Sequence, residues 1–186
     1  TIYAIISDNI EIHSIFYLIF IRFGKLLKTK NTKMVIINNF EEYQAFEGKE
    51  IGASNWHKID QAQINRFADA TIDHQWIHTD PEKAAAQGPF KKTIAHGYLT
   101  LSLIPYLWDQ IAEVRNIKML INYGIENFKF GQAVLVDDEI KLRAKLKKIS
   151  NLRGIVKVVI EATLEIKDSK KPGYVGDVVF LYHFND

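Results

Sequence analysis

The 186-residue sequence predicts an α+β fold in which an antiparallel β-sheet wraps around a long buried central helix. Three observations carry that expectation. Residues 98–112 are apolar on nearly every face, with Leu99, Leu101, Leu103, Ile104, Leu107 and Trp108, and a helix apolar all round is a buried one. From Asn116 onward the chain changes to β-branched and aromatic runs broken by turn residues. Only a short strand and amphipathic helical segments precede the buried stretch, so the later strands must supply the surface that covers it.

In chain order, residues 39–46 read as a short helix ended by Gly48, and residues 49–59 hold the first strand in a loose alternation. Asp60 serves as an N-cap with Gln63 three residues on, and Ile64, Phe67 and Ala68 follow at helical spacing, so residues 61–70 form an amphipathic helix. Asp80-Pro81-Glu82 opens another short helix, which Gln87-Gly88-Pro89 stops. Pro105 kinks the buried helix or marks a locally broken turn. Strands are expected at 118–123, 125–130, 138–149, 154–167 and 175–184, with hairpin turns at Asn151 to Gly154 and at Asp168 to Gly173. One strand, helical segments, a buried helix and then antiparallel strands is the order of a hot-dog fold.

Composition bounds the function classes. There is no cysteine, which removes disulfides, zinc-thiolate sites and thiol nucleophiles and fits a reducing, cytoplasmic setting. The formal charge of +2 belongs to the head of the chain: residues 1–33 carry Arg22, Lys25, Lys28, Lys30 and Lys33 against Asp8 and Glu11, leaving 19 basic and 20 acidic residues elsewhere. So neutral a body presents no basic footprint for nucleic acid. In the head, the apolar run from Ile15 to Ile21 ends at Arg22, far short of the roughly 20 residues that span a bilayer. Its acids precede the run and its lysines follow it, the reverse of a signal peptide. An amphipathic surface anchor is one reading of this segment. The other, which we adopt as the expectation, is an N-terminal extension, non-native or poorly ordered, before a single domain over 34–186 that begins at Met34.

Two motifs carry chemistry. In Asp73-His74-Gln75-Trp76-Ile77-His78 a carboxylate and an imidazole lie five residues apart, just past a helix, and such a pair can hold a water and exchange its protons with a substrate. Spacing alone does not separate it from a helix-boundary carboxylate beside solvated histidines. His74 and His78 also stand four apart, one substitution from a zinc-protease signature, but Gln75 replaces the glutamate that signature needs as base and no third ligand is near, so no metal is expected. In Thr93-Ile94-Ala95-His96-Gly97-Tyr98, Gly97 stands at the predicted start of the buried helix. Backbone N–H groups there lack an intrahelical partner and a glycine admits close approach, which suits an oxyanion; equally, the glycine can serve only the packing of loop against helix.

Together these residues carry a family likeness. The stretch from Phe67 to Leu107, with "Asp-His-Gln-Trp-Ile-His-Thr-Asp-Pro", "Gly-Pro-Phe" and "Thr-Ile-Ala-His-Gly-Tyr-Leu-Thr-Leu-Ser", and Asn-Tyr-Gly at 122–124, resembles the MaoC-like dehydratases and (R)-specific enoyl-CoA hydratases, nearest their nodulation-protein-N-like branch. The resemblance implies a hot-dog homodimer or higher oligomer with substrate tunnels at or near the subunit interface. It implies Asp73 and His78 as the catalytic pair, Gly97 as oxyanion donor, and His96, Gln75 and Trp76 as substrate-facing neighbours. Where the family motif usually has Asn-Pro, this chain has Gln75-Trp76: the amide is kept, the proline is gone, and Trp76 is expected to close part of the acyl pocket. Pro105 stands where some hydratases carry a further polar residue, and that role is not carried over. The function implied is hydration or dehydration across the 2,3 double bond of an acyl-CoA or acyl-carrier thioester, with no cofactor and no membrane span. A non-catalytic thioester-binding protein, or a thioesterase on the same fold, are the alternatives.

Overall fold

The structure, a computed structural model, describes residues 34–185, so the expectations for residues 1–33 and for a start at Met34 lie outside the described residues. The chain opens with β1 (Val35–Ile37), α1 (Phe40–Gln44), β2 (Glu50–Ala53) and β3 (His57–Lys58). A helical region follows: α2 (Gln61–Thr71), α3 (Trp76–Thr79), α4 (Pro81–Gln87), α5 (Gly97–Ser102) and α6 (Ile104–Trp108). Then come β4 (Ala112–Val114), β5 (Ile117–Phe130), β6 (Glu139–Leu152), β7 (Ile155–Ile166) and β8 (Tyr174–Phe184).

Local chemistry sets the helix starts. The side chains of Asn39, Asp60 and Asp80 accept from the amides of Glu42, Gln63 and Lys83, and Pro81 takes the first position of α4, where its missing N–H costs nothing. α2 ends at Ile72, whose φ of 61° turns the chain out of the helix and toward Asp73.

Six strands form one antiparallel sheet in the order β2-β6-β7-β8-β5, with β3 also paired to β6. β7 alternates strictly, turning Val156, Val158, Ile160, Ala162, Leu164 and Ile166 into the core. Leu99, Ile104, Leu107 and Trp108 pack onto that face, with the Trp108 ring 5.9 Å from that of Phe180. This is the predicted hot-dog arrangement.

The central segment is two short helices broken at Leu103, the locally broken turn expected of Pro105, which sits in the first turn of α6 and cannot donate back into α5. Three details differ from the sequence reading. The central segment is not buried all round: Tyr98 and Tyr106 are 69% and 52% exposed. The segments expected at 118–123 and 125–130 form one strand, β5, in which Gly124 lies at a register shift rather than a turn. A parallel pairing of β1 with β4 was not foreseen.

Candidate active site

α2, α3 and the segment leading into α5 bring three side chains together. One nitrogen each from His78 and His96 and one carboxylate oxygen of Asp73 lie within 4.8 Å of one another. Asp73 follows the turn at Ile72, with its amide on the Ala68 carbonyl at 3.1 Å. Its side chain is 56% exposed, so the carboxylate faces water.

His78 is buried in α3. Its Nδ1 lies 2.7 Å from the Ile94 carbonyl, so Nδ1–H donates and Nε2 keeps its lone pair. The Ile94 amide donates to Ile77 at 3.0 Å, and Gln61 donates to the His78 carbonyl at 2.8 Å. Burial pushes the His78 imidazole below its ordinary value of 6.5; the Ile94 hydrogen bond opposes this, His96 adds to it and Asp73 opposes it. At neutral pH the ring is therefore an uncharged base.

His96, only 3% exposed, donates from Nε2 to the Asp73 backbone carbonyl at 2.9 Å and lies 4.0 Å from the Asp73 carboxylate. Its ring stacks on His78 with centroids 3.7 Å apart and planes 26° from parallel. Gly97 follows directly and is exposed; its N–H lies in the first turn of α5, where no intrahelical acceptor exists. A Cβ at Gly97 would sit 3.0 Å from the Phe130 ring, so a side chain there would crowd the aromatic wall.

The remaining expected residues stand apart from this cluster. Gln75 is exposed and caps α3 through its backbone carbonyl, which accepts from His78 at 2.9 Å. Trp76 is half-buried beneath the Lys83 ammonium, 5.1 Å from its ring centroid. His74 precedes α3 rather than sharing its face with His78, and lies 3.8 Å from Asp69 with half its surface exposed. Among the described residues, Asp73, His78 and His96 are the group of donors close enough together to hold a cation. Sequence reasoning missed the Ile94 carbonyl and Gln61, and only a backbone trace could have found the first.

A family model described as the MaoC-like domain matches residues 42–167. The chain is 42% identical over 139 residues to 3-hydroxyacyl-thioester dehydratase Z of Mycobacterium tuberculosis, a match covering 74% of this chain and 91% of that protein. It is 37% identical over 149 residues to nodulation protein N of Rhizobium meliloti, covering 79% and 92% of the two. Among solved structures, a monoamine oxidase regulatory protein from Archaeoglobus fulgidus superimposes with a TM-score of 0.68 at 22% identity over 82% of this chain and 99% of that one, which shows a shared fold. On the family match and these relatives, the chain belongs to the MaoC-like dehydratase family.

Proposed function

We propose that this enzyme reversibly adds water across the 2,3 double bond of an enoyl thioester carried on CoA, using Asp73, His78 and the Gly97 N–H. The observation that carries this reading is the pairing of an exposed carboxylate with a buried, uncharged imidazole whose Nε2 is free to accept. One His78 ring nitrogen and one Asp73 carboxylate oxygen lie within 4.8 Å of each other, which puts the two side chains within reach of a single water.

In the hydration direction the water oxygen bonds to C3 while His78 Nε2 takes one of its protons and Asp73 holds the other. The C2–C3 π pair moves toward the thioester oxygen, where the Gly97 N–H stabilises the enolate. The imidazolium then returns its proton to C2, and the thioester carbonyl reforms. Water supplies every atom added, so the chemistry calls for no redox partner. An apolar cleft of about 350 Å³ beside Gly97, lined in part by Ala95, Tyr98, Phe130, Ala133 and Val134, suits the acyl chain.

The working form is a homodimer in this reading. Among the described residues β5 is the last strand of the sheet, and its Met119, Tyr123, Ile125 and Phe130 are exposed, an apolar surface that a second copy would cover. Among the described residues no helix is long and apolar enough to cross a membrane.

A panel of 2-enoyl-CoA thioesters followed for both enoyl absorbance and thiol release tests the assignment. Loss of absorbance without thiol release, abolished in His78→Ala, is the expected result. Thiol release would point to a thioesterase, and tight binding without turnover to a carrier protein.

A further inference from the structure

We propose that His96 is a positioning residue: its ring and its Nε2–H hold the His78 imidazole and the Asp73 backbone in the relative geometry that water addition requires. This rests on the hydratase reading above and adds a distinct role for a side chain that touches no reacting atom.

The working groups come from three separate segments: Asp73 beyond α2, His78 in α3 and Gly97 at the head of α5. His96 joins all three, through its 2.9 Å hydrogen bond to the Asp73 carbonyl, its 3.7 Å stack on His78 and its peptide bond to Gly97. The Asp73 carboxylate makes no hydrogen bond among the described residues, so its place depends on its backbone, which the Ala68 carbonyl and His96 hold from two sides. His78 is likewise fixed twice. The Ile94 carbonyl sets where its Nδ1 points, and the His96 plane sets the tilt of the ring. Phe67, 5.1 Å from the His96 ring at 52°, backs the stack from α2.

The unpartnered atom of His96 supports the same role. Nδ1 is buried without a hydrogen-bond partner, whereas Nε2 is engaged. With the proton on Nε2, Nδ1 carries only a lone pair and no donor is left unmet. A ring needed only to fill this space could be apolar and would leave no buried nitrogen unpaired. The feature that the apolar ring would lack is the Nε2–H toward Asp73.

Two substitutions separate the two contacts. His96→Phe keeps a flat ring over His78 and deletes the donor. It should lower kcat about 10- to 100-fold, the usual result of small misplacement, with KM changed by less than about threefold. His96→Gln keeps a side-chain N–H within reach of Asp73 and removes the ring. The titratable groups facing His78 are Asp73 and His96, while Asp69 and His74 lie against each other at the exposed end of α2. Burial is the first cause of the lowered His78 value and His96 a further one, so removing the ring should move the acid limb of kcat/KM upward, toward about 6.5. Folded variants with wild-type kcat and a superimposable pH profile would overturn the proposal.

Imidazole nitrogen NMR of the unaltered chain at pH 7 gives a test that needs no variant to fold. The expected spectrum has His96 protonated on Nε2 and His78 on Nδ1; a His96 proton on Nδ1 overturns the proposal. A wild-type chain showing both tautomers but inert toward crotonyl-CoA and longer enoyl-CoA esters overturns the hydratase reading and leaves the geometry supported.

Discussion

Two aspartates in this protein stand in opposite circumstances. Asp73 is 56% exposed, makes no hydrogen bond through its carboxylate among the described residues, and has the His96 Nε2 4.0 Å away and a His78 nitrogen within 4.8 Å. Asp177, in β8, has a side chain only 5% exposed and is paired: Lys147 donates to its Oδ2 at 2.7 Å and Asn127 to the same oxygen at 2.9 Å. A carboxylate buried and charge-paired in this way is tied to the sheet, and its value is to the fold. One held by its backbone alone, with its oxygens free and a neutral base beside it, contributes little to folding and is available for chemistry. The same side chain thus serves structure in the sheet and reaction at the helix ends, and the difference lies wholly in what surrounds it.

The largest expected effect that tests this contrast is on rate. Asp73→Asn preserves volume and exposure but removes the charge that orients the water, so hydration of crotonyl-CoA should fall about 10²- to 10⁴-fold. Its thermal unfolding should shift by no more than about 0.5 kcal/mol equivalent, as for an exposed side chain without partners. An Asp73→Asn enzyme with undiminished kcat would erase the contrast at its functional end.

Next in size is the mirror experiment. Asp177→Ala leaves Asn127 without its acceptor at a point where β5 bulges, with Asn127 at φ 51° and the register shifting between Glu126 and Lys129. Lys147, 48% exposed, can turn to water, so the loss should stay near about 1–2 kcal/mol rather than the larger cost of stranding a buried charge. Denaturant unfolding measures it, and kcat per folded molecule should be unchanged. A variant that folds as well as wild type would mean that the buried pair holds nothing.

The fold was more legible in the sequence than the site, and particular residues show why. β7 declared itself through its β-branched run of Val and Ile between turn residues, and α2 through the Asp60 cap, because both signals are local. The reading of residues 98–112 as apolar on nearly every face left no room for an exposed side, yet Tyr98 and Tyr106 supply one, since a phenol can bury its body and leave its tip in water. The pairing of Val35–Ile37 with Ala112–Val114 joins two three-residue strands 77 residues apart in the chain, and segments so short carry no periodicity to read. At the site, the types and spacing of Asp73 and His78 were visible. What binds them was not: the acceptors are the carbonyls of Ile94 and Asp73, and every residue has a carbonyl.

The smallest expected effect concerns acid. Burial works to raise the Asp177 carboxyl, but Lys147 and Asn127 outweigh it and hold the group below its ordinary 3.8. A carboxylate depressed in the folded state adds stability that is present above its unfolded value, about 3.9, and is lost as pH falls through the folded one. Asp177→Asn keeps the shape and removes the titration, so every other carboxylate cancels when the two proteins are compared. The gap in unfolding free energy between wild type and Asp177→Asn should therefore hold steady from pH 7 to pH 5 and close below about pH 4. A gap that persists undiminished to pH 3 would show that Asp177 stabilises by shape and neutral hydrogen bonds rather than by its charge.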